Sequence, residues 1–257
     1  MKKNKCWVVK IGSALLTNNG KGIDKDLISE WVEQIVELQS HNIDVVLVSS
    51  GSIVEGMKRL GWKDKPSDIH KLQAAAAVGQ MGLVQAYEYL FAKHKVQTAQ
   101  VLLTQDNLIN TKHFENISAT LENLLEFGAV PVINENDTVA TEEIKFGDND
   151  TLAALVANLL GAERLIILTD QHGVFDDDPR LNKDASLIKE IHFDDEKLER
   201  VAGKTGGILG SGGMYSKVMA AKQAAKSKTF SNIAWGREDK VLTRIHQGEH
   251  IGTLVHC

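Results

Sequence analysis

The sequence predicts an α/β fold in which parallel strands are joined by crossover helices, and three observations carry that expectation. Short apolar runs alternate with longer segments of helical period. No Pro- or Ser-rich linker interrupts this alternation, and the whole chain has 3 prolines. Polar residues stand where the apolar runs stop, which is where sheets of this kind bind ligands.

The strand candidates are residues 6–11, 43–49, 98–103, 129–133, 164–169 and 230–235. After the first, Leu27, Ile28, Trp31, Val32, Ile35 and Val36 recur at three-to-four spacing behind Asp24, a residue suited to an N-cap, and predict a helix. Between the second and third, Gln73-Ala74-Ala75-Ala76-Ala77-Val78-Gly79 predicts a packed helix, because alanine is the best helix former and glycine permits close approach of a neighbour. Phe114, Ile117, Leu121, Leu124 and Leu125 repeat the helical spacing before the fourth strand. An apolar helix is expected over 152–160 and a charged surface helix over 194–201. Lys10, Ser50, Asn134 and Asp170 fall at the carboxyl ends of four strands, so residues far apart in the chain converge on one rim.

With 257 residues, 43% hydrophobic and 25% charged, the chain can bury a large core, and one domain with two lobes is expected. A formal net charge of -5 argues against a dedicated nucleic-acid binder, whose affinity for phosphate backbones rests on clustered Lys and Arg. Small metabolites and copies of the same chain are the expected partners. Cys6 and Cys257, one at each end, support neither a disulfide framework nor a Cys-type zinc site and fit a reducing cytoplasm. The basic start Met1-Lys2-Lys3-Asn4-Lys5 leads into an apolar run that Lys10 stops, too short for a signal peptide. No stretch reaches the roughly 18 uninterrupted apolar residues of a membrane span. A soluble, cytoplasmic protein with no membrane partner is expected.

Two motifs outline a phosphoryl-transfer site that lacks a P-loop. Gly147-Asp148-Asn149-Asp150 puts carboxylates and an amide at a loop end ahead of a helix, shortly after Asn134-Glu135-Asn136-Asp137. Gly210-Ser211-Gly212-Gly213-Met214-Tyr215-Ser216-Lys217 offers backbone N–H groups to an anion and delivers an ammonium one turn into the next helix. Carboxylates and lysines around a bound phosphate are the parts of such a site. Other motifs fail. Gly203-Lys204-Thr205 ends like a Walker A loop, but Leu198 stands where that loop needs glycine, and Tyr215 replaces the third glycine of a dinucleotide fingerprint. Ser49-Ser50-Gly51-Ser52 is not a nucleophile elbow. His246-Gln247-Gly248-Glu249-His250 matches a zinc-peptidase pattern that depends on a helix, which Gly248 opposes. Asp176-Asp177-Asp178 is expected to be a solvated loop.

Together, Val9-Lys10-Ile11-Gly12-Ser13, Ser49-Ser50-Gly51, Asn134-Glu135-Asn136-Asp137, Gly147-Asp148-Asn149-Asp150, Thr169-Asp170 and the run ending at Lys217 resemble the amino acid kinase family over nearly the whole chain. Within that family they are most similar to the branch that phosphorylates free glutamate. The resemblance implies a three-layer α/β/α fold, with a mostly parallel open sheet sandwiched between helices and nucleotide and acceptor side by side over the strand ends. It implies a single kinase domain, 1–257, with an N-terminal acceptor-binding lobe and a C-terminal nucleotide-binding lobe. The C-terminal PUA domain of many bacterial relatives is not expected.

The implied reaction is transfer of the γ-phosphoryl group of ATP to the side-chain carboxylate of L-glutamate, the first step of proline biosynthesis. Lys10 and Lys217 would stabilise the transferring group, Asp150 would hold the two lysines, and Mg²⁺ would be held mainly by the ATP phosphates, with no metal ligand assigned to the protein. No general base is needed, because a carboxylate is already ionised at neutral pH. The resemblance assigns Ser50, Gly51, Asn134, Asp137, Asp148 and Asn149 to glutamate, with Asp137 pairing with the α-ammonium and the amides orienting the carboxylates. It assigns Lys10, Gly12, Thr169, Asp170, Ser211, Gly212, Gly213, Met214 and Lys217 to ATP. Implied partners are proline as a feedback inhibitor, glutamyl phosphate reductase as the downstream enzyme, and further copies of the chain in a dimer or tetramer. The alternatives are an acetylglutamate, aspartate, carbamate or uridylate kinase of the same family, or a non-catalytic amino-acid sensor of the same fold.

Overall fold

A computed structural model describes residues 4–18, 20, 22–109, 111–140, 149–204 and 213–257. The described residues form one eight-stranded sheet, β1 (Lys5–Ile11), β2 (Ile43–Val48), β3 (Thr98–Leu103), β4 (Val130–Glu135), β5 (Arg164–Thr169), β6 (Glu190–His192), β7 (Phe230–Trp235) and β8 (Thr253–His256). Their order across the sheet is β3-β4-β2-β1-β5-β7-β8-β6. The six strands from β3 to β7 in that order run parallel. β8 is antiparallel to β7, and β6 is parallel to β8. The mostly parallel sheet agrees with the expected fold class.

Alternation along the strands splits the core in two. Trp7, Val9 and Ile11 of β1 face one side, packing with Leu27, Ile28 and Trp31 of the Lys25–Ser40 helix and with Phe91. Cys6 and Val8 face the other side, with Leu152 and Val156 of the Asp150–Leu160 helix and Val218 and Ala221 of the Met214–Ala225 helix. Each of the large apolar side chains so buried stabilises the fold by about 1.5–3 kcal/mol. Helices on both faces are what strands buried on two sides require. Asp24 caps the first long helix as expected, accepting from the Leu27 N–H at 3.2 Å. The buried Trp31 indole satisfies its N–H on the Gly236 carbonyl at 2.9 Å.

The alanine-rich run lies in the Ile69–Ala92 helix, and its glycine does what was expected of it. A Cβ added to Gly79 would stand 1.8 Å from the Ser52 carbonyl oxygen, and one added to Gly56 would stand 1.7 Å from that of Ala75. The Ser52–Arg59 helix therefore packs backbone against backbone on the longer one.

Some boundaries differ from expectation. The 129–133 strand runs on to Glu135, because Asn134 and Glu135 continue the ladder with Leu102 and Leu103 of β3. β6 and β8 had no sequence signal, since runs of three and four residues are too short to show a period. The 194–201 helix is Glu196–Lys204, and it buries Leu198, Val201 and Ala202 beneath its charged face. The Val241–His246 helix stops before Gly248, whose φ of +89° breaks the zinc-peptidase pattern. Asp178 is held by Arg180, Asp177 by Asn182 and Asp176 by the Ser186 N–H, a loop braced by hydrogen bonds. Cys6 is buried and Cys257 exposed, and they are not joined to each other. No helix among the described residues is long and apolar enough to cross a membrane.

Candidate active site

Lys10 is one residue from the end of the central strand, and the two-residue period puts it on the same face as Val8, where the Asp150–Leu160 helix packs. Asp150 is the first residue of that helix, a position that favours negative charge. Lys217 lies one turn into the neighbouring Met214–Ala225 helix, as the motif predicted. The three side chains meet: Lys10 Nζ contacts Asp150 Oδ1, and Lys217 Nζ lies 3.0 Å from Asp150 Oδ2. Ser216 Oγ lies 3.0 Å from the same Oδ2. Asp150 has no exposed surface, while Lys10 and Lys217 are 2% and 4% exposed and both border a cleft. Two ammonium groups thus share one carboxylate at the floor of that cleft, where low dielectric strengthens their fields.

The cleft has a volume of about 400 Å³. Ten of the expected site residues line it: Lys10, Gly12, Ser50, Gly51, Asn134, Asp137, Asn149, Thr169, Asp170 and Lys217. Asp150 sits beneath them. Gly213 begins the Met214–Ala225 helix in an extended conformation, and Met214 packs against the core; neither lines the cleft. Asp148, Ser211 and Gly212 lie outside the described residues.

The cleft has two chemically distinct ends. At one, Asp137 accepts from Ser52 Oγ at 2.7 Å, and Gly51 takes a φ of +89° that an L side chain rarely adopts, turning the chain from β2 into the Ser52–Arg59 helix. Burial pushes the Asp137 carboxyl above its usual range, opposed by the Ser52 hydrogen bond. The Ser50 hydroxyl is buried with no hydrogen-bond partner among the described residues, an open position for a ligand oxygen. Asn149 donates to the Ser49 carbonyl and, at 2.6 Å, to Asn134 Oδ1, and Asn134 donates to Gln80 Oε1 at 2.7 Å. At the other end Thr169 donates its hydroxyl to Asp170 at 3.1 Å, just past β5.

Ser13, Ser52, Met57 and Lys65 also line the cleft, and Gln80 and Ser216 support it; apart from Ser216, which lies in the segment expected to serve ATP, sequence reasoning gave none of these a role. Ser216 lies inside the glycine-rich run ending at Lys217, and Ser52 directly follows Ser49-Ser50-Gly51, so adjacency was the available signal for Ser52. Nothing local marked Gln80, whose partner is 54 residues away.

A parallel sheet with a doubly lysine-bound carboxylate under a cleft at its strand ends is the arrangement of a phosphotransferase that works without a P-loop. The chain belongs to the amino acid kinase family, which residues 5–232 match. It is 59% identical over 253 residues to a glutamate 5-kinase of Hydrogenovibrio crunogenus, covering 98% of this chain and 67% of that protein. A glutamate 5-kinase of Pseudomonas syringae pv. tomato is 58% identical over 249 residues, 97% of this chain and again 67% of the relative. Among solved structures, a Giardia lamblia carbamate kinase bound to AMP-PNP superposes with a TM-score of 0.69 at 14% identity, covering 100% of this chain and 99% of that one. A Bacillus anthracis UMP kinase gives 0.66 at 15% identity, covering 99% and 97%. These two likenesses establish the shared fold.

Proposed function

We propose that this chain transfers the γ-phosphoryl group of ATP to the side-chain carboxylate of L-glutamate, forming L-glutamyl 5-phosphate and ADP, the first step of proline biosynthesis, in the cytoplasm. The observation that carries this reading is the pair of ammonium groups held on one buried carboxylate and both bordering the cleft. A purely structural ion triad would be closed off by its neighbours.

A carboxylate oxygen of glutamate attacks the γ-phosphorus, the bond to the β,γ-bridging oxygen breaks, and ADP leaves with the electron pair. No proton is transferred. An anion attacking an anion makes the barrier electrostatic, and fixed positive charge at the reacting phosphate lowers it. An ammonium carries three donors, so a lysine that bonds Asp150 can also donate to a phosphate oxygen. Asp150, itself braced by the Ser216 hydroxyl, holds both ammonium groups before substrate arrives, so little reorganisation is needed during transfer.

In this reading glutamate would lie among Ser50, Gly51, Asn134, Asp137 and Asn149, and ATP towards Gly12, Thr169 and Asp170, all of which line the cleft. Gly213 and Met214 would serve ATP through the backbone at the helix start, where no side chain caps the N–H groups. Asp137 would pair with the α-ammonium of glutamate, and the free Ser50 hydroxyl would donate to a carboxylate.

Among the described residues no three His, Cys, Asp or Glu side chains gather in a metal-binding group, and Asp150 is occupied by lysines. In this reading Mg²⁺ would be held mainly by the ATP phosphates, and Asp170 is a carboxylate that lines the cleft. When bound, the ion supplies charge neutralisation.

The test is ADP release with Mg-ATP and L-glutamate, the acyl phosphate being trapped by hydroxylamine as the hydroxamate, with N-acetylglutamate, aspartate, carbamate and UMP as parallel acceptors. Glutamate-dependent hydroxamate is the expected result. Reaction with another acceptor alone would overturn the substrate assignment, and silence with all of them would favour an amino-acid sensor.

A further inference from the structure

Gln80 ends a chain of buried amides whose direction is decided by two backbone groups. Asn134 Oδ1 accepts from the Glu135 N–H at 3.0 Å, and since an N–H can only donate, that end of the Asn134 amide must be its oxygen. The nitrogen then faces Gln80, which answers with Oε1 at 2.7 Å. On the other side, Asn149 Nδ2 donates both to the Ser49 carbonyl, which can only accept, and to Asn134 Oδ1. Both Asn149 N–H donors are therefore used, and the group it has left for a ligand is Oδ1.

This reverses one expectation from the sequence, that the amide of Asn149 orients a carboxylate. Asn149 and Asp137 line the same cleft, and both offer it acceptor oxygens. Their complement is a primary ammonium, which carries three donors and no acceptor.

Gln80 itself is rigidly placed. It is 9% exposed, and it follows Gly79, whose lack of a side chain lets the helix rest on the Ser52 carbonyl. The Ser52 hydroxyl holds Asp137, so both acceptor groups are braced from the same pair of helices.

We infer that Gln80 is a positioning residue for the α-ammonium of the acceptor, acting through Asn134 on Asn149; this rests on the glutamate kinase reading above. Without Oε1, Asn134 Nδ2 is left buried with no acceptor. Turning the Asn134 amide over to relieve this would break its bonds from Glu135 and Asn149. Either way Asn149 Oδ1 loses its alignment, while the lysines and Asp150, which Gln80 does not touch, keep theirs.

The experiment compares steady-state kinetics of wild type, Gln80→Met and Gln80→Glu, measuring KM for glutamate, KM for ATP, kcat, and the inhibition constant of glutarate, the same dicarboxylate without the ammonium. Gln80→Met is expected to raise KM for glutamate about tenfold, with kcat, KM for ATP and the glutarate constant all within about twofold. Gln80→Glu still accepts from Asn134 and is expected to keep the preference for glutamate over glutarate. Equal weakening of glutamate and glutarate by Gln80→Met would show a merely structural role and overturn the inference. If Gln80→Met does not fold, Gln80→Glu decides, and loss of its preference overturns the inference. Absence of glutamate-dependent product from wild type would overturn the function reading and this inference with it. A wild type active on glutamate beside an unselective Gln80→Met overturns this inference alone.

Discussion

Replacing Asp150 by asparagine removes one charge and almost no volume, so it tests the electrostatic design of the site directly. At 3.0 Å from Lys217 Nζ, the carboxylate attracts that ammonium by about 5 kcal/mol at an effective dielectric near 20. Lys10 adds a second contact of the same kind on the other oxygen. The cost of desolvating three buried ions opposes this attraction, and removing one member of a buried ion pair typically costs about 3–5 kcal/mol. The amide can turn its oxygen to one lysine, but must then turn its NH₂ group towards the other. Urea unfolding should therefore show Asp150→Asn destabilised by about 3–5 kcal/mol. Turnover should fall by about 10²–10³, since both lysines proposed as transition-state donors lose their anchor. ATP brings negative charge to the same place, so saturating nucleotide should stabilise the variant more than the wild type. An unfolding free energy within about 1 kcal/mol of wild type, together with turnover within about threefold, would refute the reasoning.

Lys217→Ala should lower turnover by about 10²–10³, the effect of removing one preorganised donor, and turnover within about threefold of wild type would contradict its role. Ser52→Ala removes the hydrogen bond that opposes the burial-driven rise of the Asp137 carboxyl. Ammonium binding needs Asp137 ionised, so KM for glutamate should climb as pH falls through the raised Asp137 value, and in Ser52→Ala the climb should begin at higher pH. In the unliganded protein the linkage has the opposite sense. The raised Asp137 value means that the fold binds this proton more tightly than the unfolded chain does. Its contribution to stability is thus present below the unfolded value and lost as pH rises through the folded one. Gly79→Ala would press a methyl group to 1.8 Å from the Ser52 carbonyl oxygen; urea unfolding should show a loss of about 1–3 kcal/mol, and KM for glutamate should rise as Ser52 and Asp137 shift.

What the sequence by itself determined is whatever repeats locally or is written in consecutive residues. The two-residue alternation in β1 and the three-to-four spacing from Leu27 to Val36 reported strand and helix, because each period is set by the backbone geometry of its own segment. Lys10, Asn134, Asp170 and Lys217 were legible because strand ends and a glycine-rich helix start are local features, and parallel strands bring their ends to one rim. The union of Asp150 with a lysine 67 residues away was expected through the family resemblance and not from any local pattern. The tertiary structure alone decided that Ser52 reaches Asp137 across 85 residues and that Asn134 finds Gln80 across 54. Those partnerships depend on how helices seat on the sheet and on each other, as at Gly56 and Gly79, where two backbones touch. The polarity of the Asn149 amide follows from the same cause. The choice between its oxygen and its nitrogen belongs to the Ser49 carbonyl and the Glu135 N–H, which only packing brings within reach.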